Sequence, residues 1–145
     1  MDTIKLHYAT PIFHCLTLTF PVATYDEKLE TWFASAANRY VYSRYAGDDY
    51  KKKIAMLSPL KALTWGGTDK GSTTLGATKE NTKWEAIKKS VFIKANRAKY
   101  TQNTVLQDVL LSLNPKKHKL VDPYERKNEP SLVETLWKLR EEFAK

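Results

Sequence analysis

Between Trp32 and Tyr45 the chain interleaves aromatic rings with cations: Trp32, Phe33, Arg39, Tyr40, Tyr42, Arg44 and Tyr45 fall within fourteen residues. A base stacked on tyrosine or tryptophan, with an arginine on phosphate, is a common way to hold a nucleotide. At helical spacing Trp32, Ala36 and Tyr40 share one face, which reads as core and leaves Tyr42, Arg44 and Tyr45 free to bind. A second stretch with chemical potential is Gly66-Gly67-Thr68-Asp69-Lys70-Gly71-Ser72. Its spacing is wrong for a Walker A loop, and neither GxxxxGK[ST] nor GxGxxG occurs. Residues 66 to 82 hold four of the five glycines, and a loop of about sixteen residues in a small domain is often a binding loop. His7, His14 and His118 lack metal-ligand spacing. Cys15 has no neighbour that would lower its pKa and reads as a small hydrophobe. No metal and no cofactor is expected.

Twenty-four Lys and Arg against sixteen Asp and Glu leave a net charge of +8 on 145 residues. Such a charge attracts polyanions at long range. The cations cluster in three places: Lys51, Lys52 and Lys53; Lys88, Lys89, Lys94, Arg97 and Lys99; Lys116, Lys117 and Lys119. Each cluster is a solvated face or, if they converge, a contact for nucleic-acid phosphate. No run approaches the ~18 apolar residues of a membrane span, so no membrane partner is expected. A single cysteine excludes a disulfide framework. The first eight residues carry Asp2, Lys5 and His7 and do not read as a cleaved signal. The chain reads as soluble, reduced and cytoplasmic.

The elements that must position these residues follow from periodicity. Ile4–Tyr8 and Ile12–Phe20 alternate or are rich in β-branched and aromatic residues, which predicts two short strands. Steps of three and four from Trp32 predict a helix over about 33–45. Gly47-Asp48-Asp49 ends it and opens a short helix running through Met56. Ser58-Pro59 starts another that stops at Trp65-Gly66-Gly67. A long helix follows from Trp84, then one over Val105–Leu113, which Asn114-Pro115 breaks. Leu120-Val121 is a short strand. Ser131-Leu132-Val133-Glu134 is a capping box for a last helix with Leu132, Leu136, Leu139 and Phe143 inward.

In this order the motifs resemble the NADAR (YbiA-like) superfamily. Trp32-Phe33-Ala34-Ser35-Ala36-Ala37-Asn38-Arg39-Tyr40 is similar to that family's W-P-S-V-E-H-Y-Y, and Arg44-Tyr45-Ala46-Gly47-Asp48 to its K-F-A-G-D. Ser58-Pro59, Ala62 and Gly66 match S-P-x-x-A-x-x-x-G-R. Trp84, Val91-Phe92 and Arg97-Ala98-Lys99-Tyr100-Thr101-Gln102-Asn103 resemble its W, V-M and R-A-K-F-x-Q-N. Leu110-Leu111, Leu120-Val121-Asp122 and Leu136-Trp137-Lys138-Leu139-Arg140-Glu141-Glu142 resemble L-L, L-V-E and L-M-x-V-R-E. The likeness covers residues 26–143, preceded by an extended segment over 1–25.

The resemblance implies an α+β fold: one compact, mainly helical domain over 1–145 with a small N-terminal β element. It also implies hydrolysis of N-glycosidic bonds in ribosyl or ADP-ribosyl compounds, including ADP-ribosylated nucleobases and riboflavin-pathway intermediates. The departures bear on activity. Ala37 stands where the family has glutamate, Arg44 where it has lysine and Gly67 where it has arginine. Glu125-Arg126-Lys127-Asn128 stands where the family has D-x-[FY]-W-G. A second register sets Glu30 against the family glutamate.

Three readings stay open. The first is a catalytically degenerate module with a basic pocket for ADP-ribose, ribosyl phosphate or nucleic-acid phosphate, lined by Arg39, Arg44, Tyr45, Trp65, Gly66, Gly67 and Lys70. The second is an active N-glycosidase with Glu30 or Glu125 supplying the carboxylate. The third is a basic structural protein of a virion or ribonucleoprotein assembly, placed in a host cytoplasm or virion and binding DNA, RNA or a neighbouring protein.

Overall fold

The computed structural model describes residues 1–7, 10, 12–45, 48–66 and 81–145, with the backbone alone at 48–50, 65 and 66. Strand β1 (Asp2–Lys5) lies parallel to β4 (His118–Val121), with Ile4 opposite Leu120. These two side chains are the buried members of alternating strands, so the pair puts one apolar face on the core and one polar face outward. A separate antiparallel hairpin joins β2 (Thr24–Asp26) to β3 (Thr31–Phe33).

Helix α1 (Ala36–Tyr42) occupies the centre. Ser35 caps it, its hydroxyl accepting from the Asn38 N–H at 3.3 Å. Ala36 and Ala37 are wholly buried, and their small side chains let neighbouring elements approach closely. Helix α2 (Asp48–Met56) and helix α3 (Pro59–Gly66) pack on α1, and so does the long helix α4 (Trp84–Gln102). Asn103 is extended and ends α4, and its amide takes the Lys99 carbonyl at 2.8 Å, one of the helix's orphan acceptors. Helix α5 (Thr104–Leu111) and helix α6 (Leu132–Ala144) are the remaining helices among the described residues. Ser131 caps α6 by accepting from the Glu134 N–H at 3.2 Å, and Leu132, Leu136 and Leu139 face inward as their spacing predicts.

Three expectations change. The segment Ile12–Phe20 is not a strand. Its middle forms a 3₁₀ turn, Phe13–Leu16, that drops Cys15 and Leu16 into the core. Its β-branched and aromatic composition favours a pleated surface only where a neighbouring strand exists, and β1 and β4 pair with each other instead. The first strand is Asp2–Lys5, so the strand expected from Ile4 starts earlier and ends before Leu6, while Tyr8 lies outside the described residues. The helix expected over 33–45 begins at Ala36, because Thr31–Phe33 pairs with Thr24–Asp26. Trp32, assigned to the core by helical spacing, is therefore 58% exposed on the outer face of the hairpin, its ring 5.2 Å from that of its cross-strand neighbour Tyr25.

Candidate functional site

The hairpin turn is built locally. The Asp26 carboxylate accepts from the Leu29 N–H at 3.0 Å, the Thr31 hydroxyl donates to the Leu29 carbonyl at 2.8 Å, and Glu30 takes a left-handed φ of 49° at the tip. The hairpin is then held against α4 by one side chain. Gln102 accepts from the Tyr25 N–H and donates to the Tyr25 carbonyl, both at 2.8 Å, in the manner of a neighbouring strand.

Between the hairpin, α1 and α4 opens a cavity of about 270 Å³. Its cations are Arg39, Lys28 and Lys94, its carboxylates Asp26 and Glu27, and Tyr25, Phe33 and Ala98 complete the wall. Arg39 is nearly buried, and two of its nitrogens are engaged. Nε meets Asp26 Oδ2 at 3.1 Å, Nη1 donates to the Ser43 hydroxyl at 2.7 Å, and the guanidinium lies 5.6 Å from the centre of the Phe33 ring. Burial pushes the Asp26 carboxyl up, but the Leu29 N–H and the Arg39 guanidinium outweigh it and hold the group below its ordinary value. Asp26 is thus a fixed anion at neutral pH.

The structure divides the residues expected to line one pocket. Arg39 reaches the cavity, together with Lys94. Arg44 follows the end of α1 and turns elsewhere. Its guanidinium is 5.4 Å from the centre of the Tyr45 ring, and its charge acts on the phenol of Tyr40. Tyr40 donates to Glu129 at 3.0 Å with its ring against Trp84 and Phe92, and burial is the main cause that pushes its phenol well up. Tyr45 is not available to a ligand: it is 2% exposed within the apolar core. Trp65 and Gly66 end α3, while Gly67 and Lys70 lie outside the described residues. Glu30 is exposed at the hairpin tip and Glu125 is exposed in the segment 122–130, and neither lines the cavity. Glu125 is near enough to Asp122 to add to the rise that burial causes in that carboxyl.

The cations of the three basic clusters differ in their local partners. Lys51 lies 5.2 Å from the centre of the Tyr42 ring, and Lys52 and Lys53 are exposed on α2. Lys88 donates to the Asn128 carbonyl at 2.6 Å and pairs with Glu85, and Lys89 is exposed. Arg97 forms a two-point pair with Glu142 at 3.0 and 2.9 Å. Lys116, Lys117 and Lys119 are exposed at and beside the start of β4.

Lys99 is the correction. Grouped with the phosphate contacts, it is 0% exposed, and Nζ donates to the Thr17 carbonyl at 2.8 Å between the rings of Phe20 and Tyr100. It lies seven residues after buried Phe92 and four after buried Ala95, a spacing that places it on the inward face of α4 and could have signalled its burial. Asp26, Glu27 and Lys28 were missed altogether. The only local sign of them is the Asp26-to-Leu29 spacing of an aspartate turn.

No family model matches the chain, and no curated protein matches it. Among solved structures it is similar to the NMR structure of the E. coli protein YbiA. The likeness has a TM-score of 0.76 at 20% identity and covers 99% of this chain and 85% of that one. At that identity the match speaks for the fold, and the chain has a YbiA-like α+β fold.

Proposed function

We propose that this chain is a binding module that holds a phosphorylated ribosyl group in the cavity between the hairpin, α1 and α4, and does not hydrolyse it. The observation that carries the reading is the charge order of that cavity: three cations beside two carboxylates. Lys28 and Lys94 suit phosphate oxygens, Glu27 can accept from ribose hydroxyls, and Arg39 with Asp26 forms a rigid wall. A volume of about 270 Å³ falls just under the ~300–1,000 Å³ of small-ligand sites. It suits a ribosyl phosphate better than a whole ADP-ribose, whose base would lie outside. Loss of hydrolysis fits the placement of the acids. Asp26 is held ionised and cannot donate a proton, and Asp26 and Glu27 are consecutive in the chain rather than facing each other across a bond.

The test is calorimetric titration with ribose 5-phosphate and ADP-ribose, beside chromatography for base released from an ADP-ribosylated guanosine. The expected result is saturable binding of both ligands, weakened about tenfold by Lys94→Glu, with no base released. Absence of binding overturns the reading. Release of base that is lost in Glu27→Gln, Glu30→Gln or Glu125→Gln replaces it with the active N-glycosidase.

A further inference from the structure

Among the described residues the parallel pair β1–β4 has two outer edges, and the edge formed by β4 borders a groove of about 470 Å³. His118, Lys119 and Leu120 all line that groove, although the Leu120 side chain is buried. Three successive residues of a strand are reached together from its edge, where the backbone is presented, and not from one face. The hydrogen bonding agrees. The carbonyls of Lys117 and Val121 accept from Asp2 and Leu6 on the β1 side, each at 2.8 Å. Strand alternation then turns the N–H and C=O of Leu120 to the opposite side. The facing wall is α6, through Val133, Trp137, Arg140 and Glu141, which share one helical stripe. The turn that launches β4 is fixed, with the N–H groups of Lys117 and His118 both donating to the Asn114 carbonyl.

We infer that this groove is a docking site for an acidic, extended peptide that adds to the β4 edge as a third strand. Main-chain bonds to Leu120 would supply register. Val133 and Trp137 offer an apolar floor to alternate side chains, and the exposed Lys116, Lys117, Lys119 and Lys138 offer anchors for carboxylates on the other face. Arg140 is pinned by its bond to the Leu113 carbonyl, and Glu141 is the single carboxylate among the lining residues. The same lysines exclude another occupant. A second copy of this chain carries a charge of +8 and meets like charge at this edge, the usual guard against edge-to-edge pairing. The inference is independent of the ribosyl phosphate reading, because no residue is shared with the hairpin cavity.

The experiment follows the amides of the ¹⁵N-labelled full chain during titration with an acetylated hexapeptide of alternating valine and glutamate. The Leu120 amide is expected to shift, and its hydrogen exchange to slow by about tenfold or more at saturation. The double substitution Lys119→Glu, Lys138→Glu should weaken binding by about tenfold, and Lys94→Glu should leave it unchanged. A Leu120 amide that stays unmoved at millimolar peptide overturns the proposal. So do shifts confined to lysine side chains that octathymidylate produces equally well, which would make the surface a general polyanion contact.

Discussion

Lys99 donates from the centre of the protein to the carbonyl of Thr17, 82 residues earlier in the chain, at 2.8 Å. This one bond joins the long helix to the irregular N-terminal segment. Burial pushes the amine down to about 7, with the nearby Cys15 opposing the shift, while an unfolded lysine titrates near 10.5. Between those values the unfolded chain binds the extra proton. Stability is therefore lowest below pH ~7 and rises with pH through that window. From pH 7 to 9 the expected gain is about 2 kcal/mol in urea unfolding. Above pH ~10 the buried phenols of Tyr40 and Tyr100, whose pKa values are raised, act with the opposite sign. Lys99→Met should remove the rise between pH 7 and 9, and a rise that survives in that variant would assign it to other groups.

Gln102 acts as a strand surrogate for Tyr25. Gln102→Ala should cost about 1–2 kcal/mol for the two bonds lost. Hydrogen exchange is expected to speed up at the Tyr25 amide and not in the middle of α4. Uniform acceleration would show that the side chain supports the whole fold and not the hairpin alone.

Asn38 is wholly buried at the junction of α1 and α2. Its amide donates to the carbonyls of Ile54 and Leu57, both at 2.8 Å, and its oxygen accepts from the Ser35 hydroxyl at 2.6 Å. Asn38→Ala should cost roughly 2–4 kcal/mol in thermal or urea unfolding. Asn38→Asp should cost more, because it removes both donors and aims a buried carboxylate at two carbonyls. Equal or smaller loss in the aspartate variant would contradict this account.

Tyr40 ties α1 to the segment 122–130 through Glu129. Tyr40→Phe keeps the ring between Trp84 and Phe92, so the expected cost is about 1 kcal/mol. Glu129→Gln should cost less, since an amide oxygen still accepts the phenol proton. Faster exchange of amides over 122–130 in Tyr40→Phe, without change in α6, is the accompanying readout.

The parts of the fold legible from spacing are those whose determinants are near neighbours. Ser58-Pro59 starts α3, Ser131 caps α6, and Leu132, Leu136 and Leu139 face inward, because caps and helical stripes act within one or two turns. Arg97 to Asn103, the best piece of the sequence resemblance, is a set of structural fasteners: Arg97 on Glu142, Lys99 on Thr17, Gln102 on Tyr25, Asn103 on Lys99. The hairpin cavity was half legible. Arg39 stood out as a cation among rings, but Asp26, Glu27 and Lys28 did not, because nothing in their own neighbourhood says that a distant helix will face them across a cavity.

The sequence by itself determined the helical register of the last helices and the excess of positive charge, which follow from local periodicity and composition, while the α+β class came from its resemblance to a known family. Only the tertiary structure decided that Ile12–Phe20 is no strand, that Trp32 faces outward, and which lysine is an internal strut and which a surface charge. The reason is physical. A strand exists only where a partner strand saturates its backbone. A lysine is buried here because its amine, whose charge burial disfavours, finds a distant hydrogen-bond acceptor in the Thr17 carbonyl.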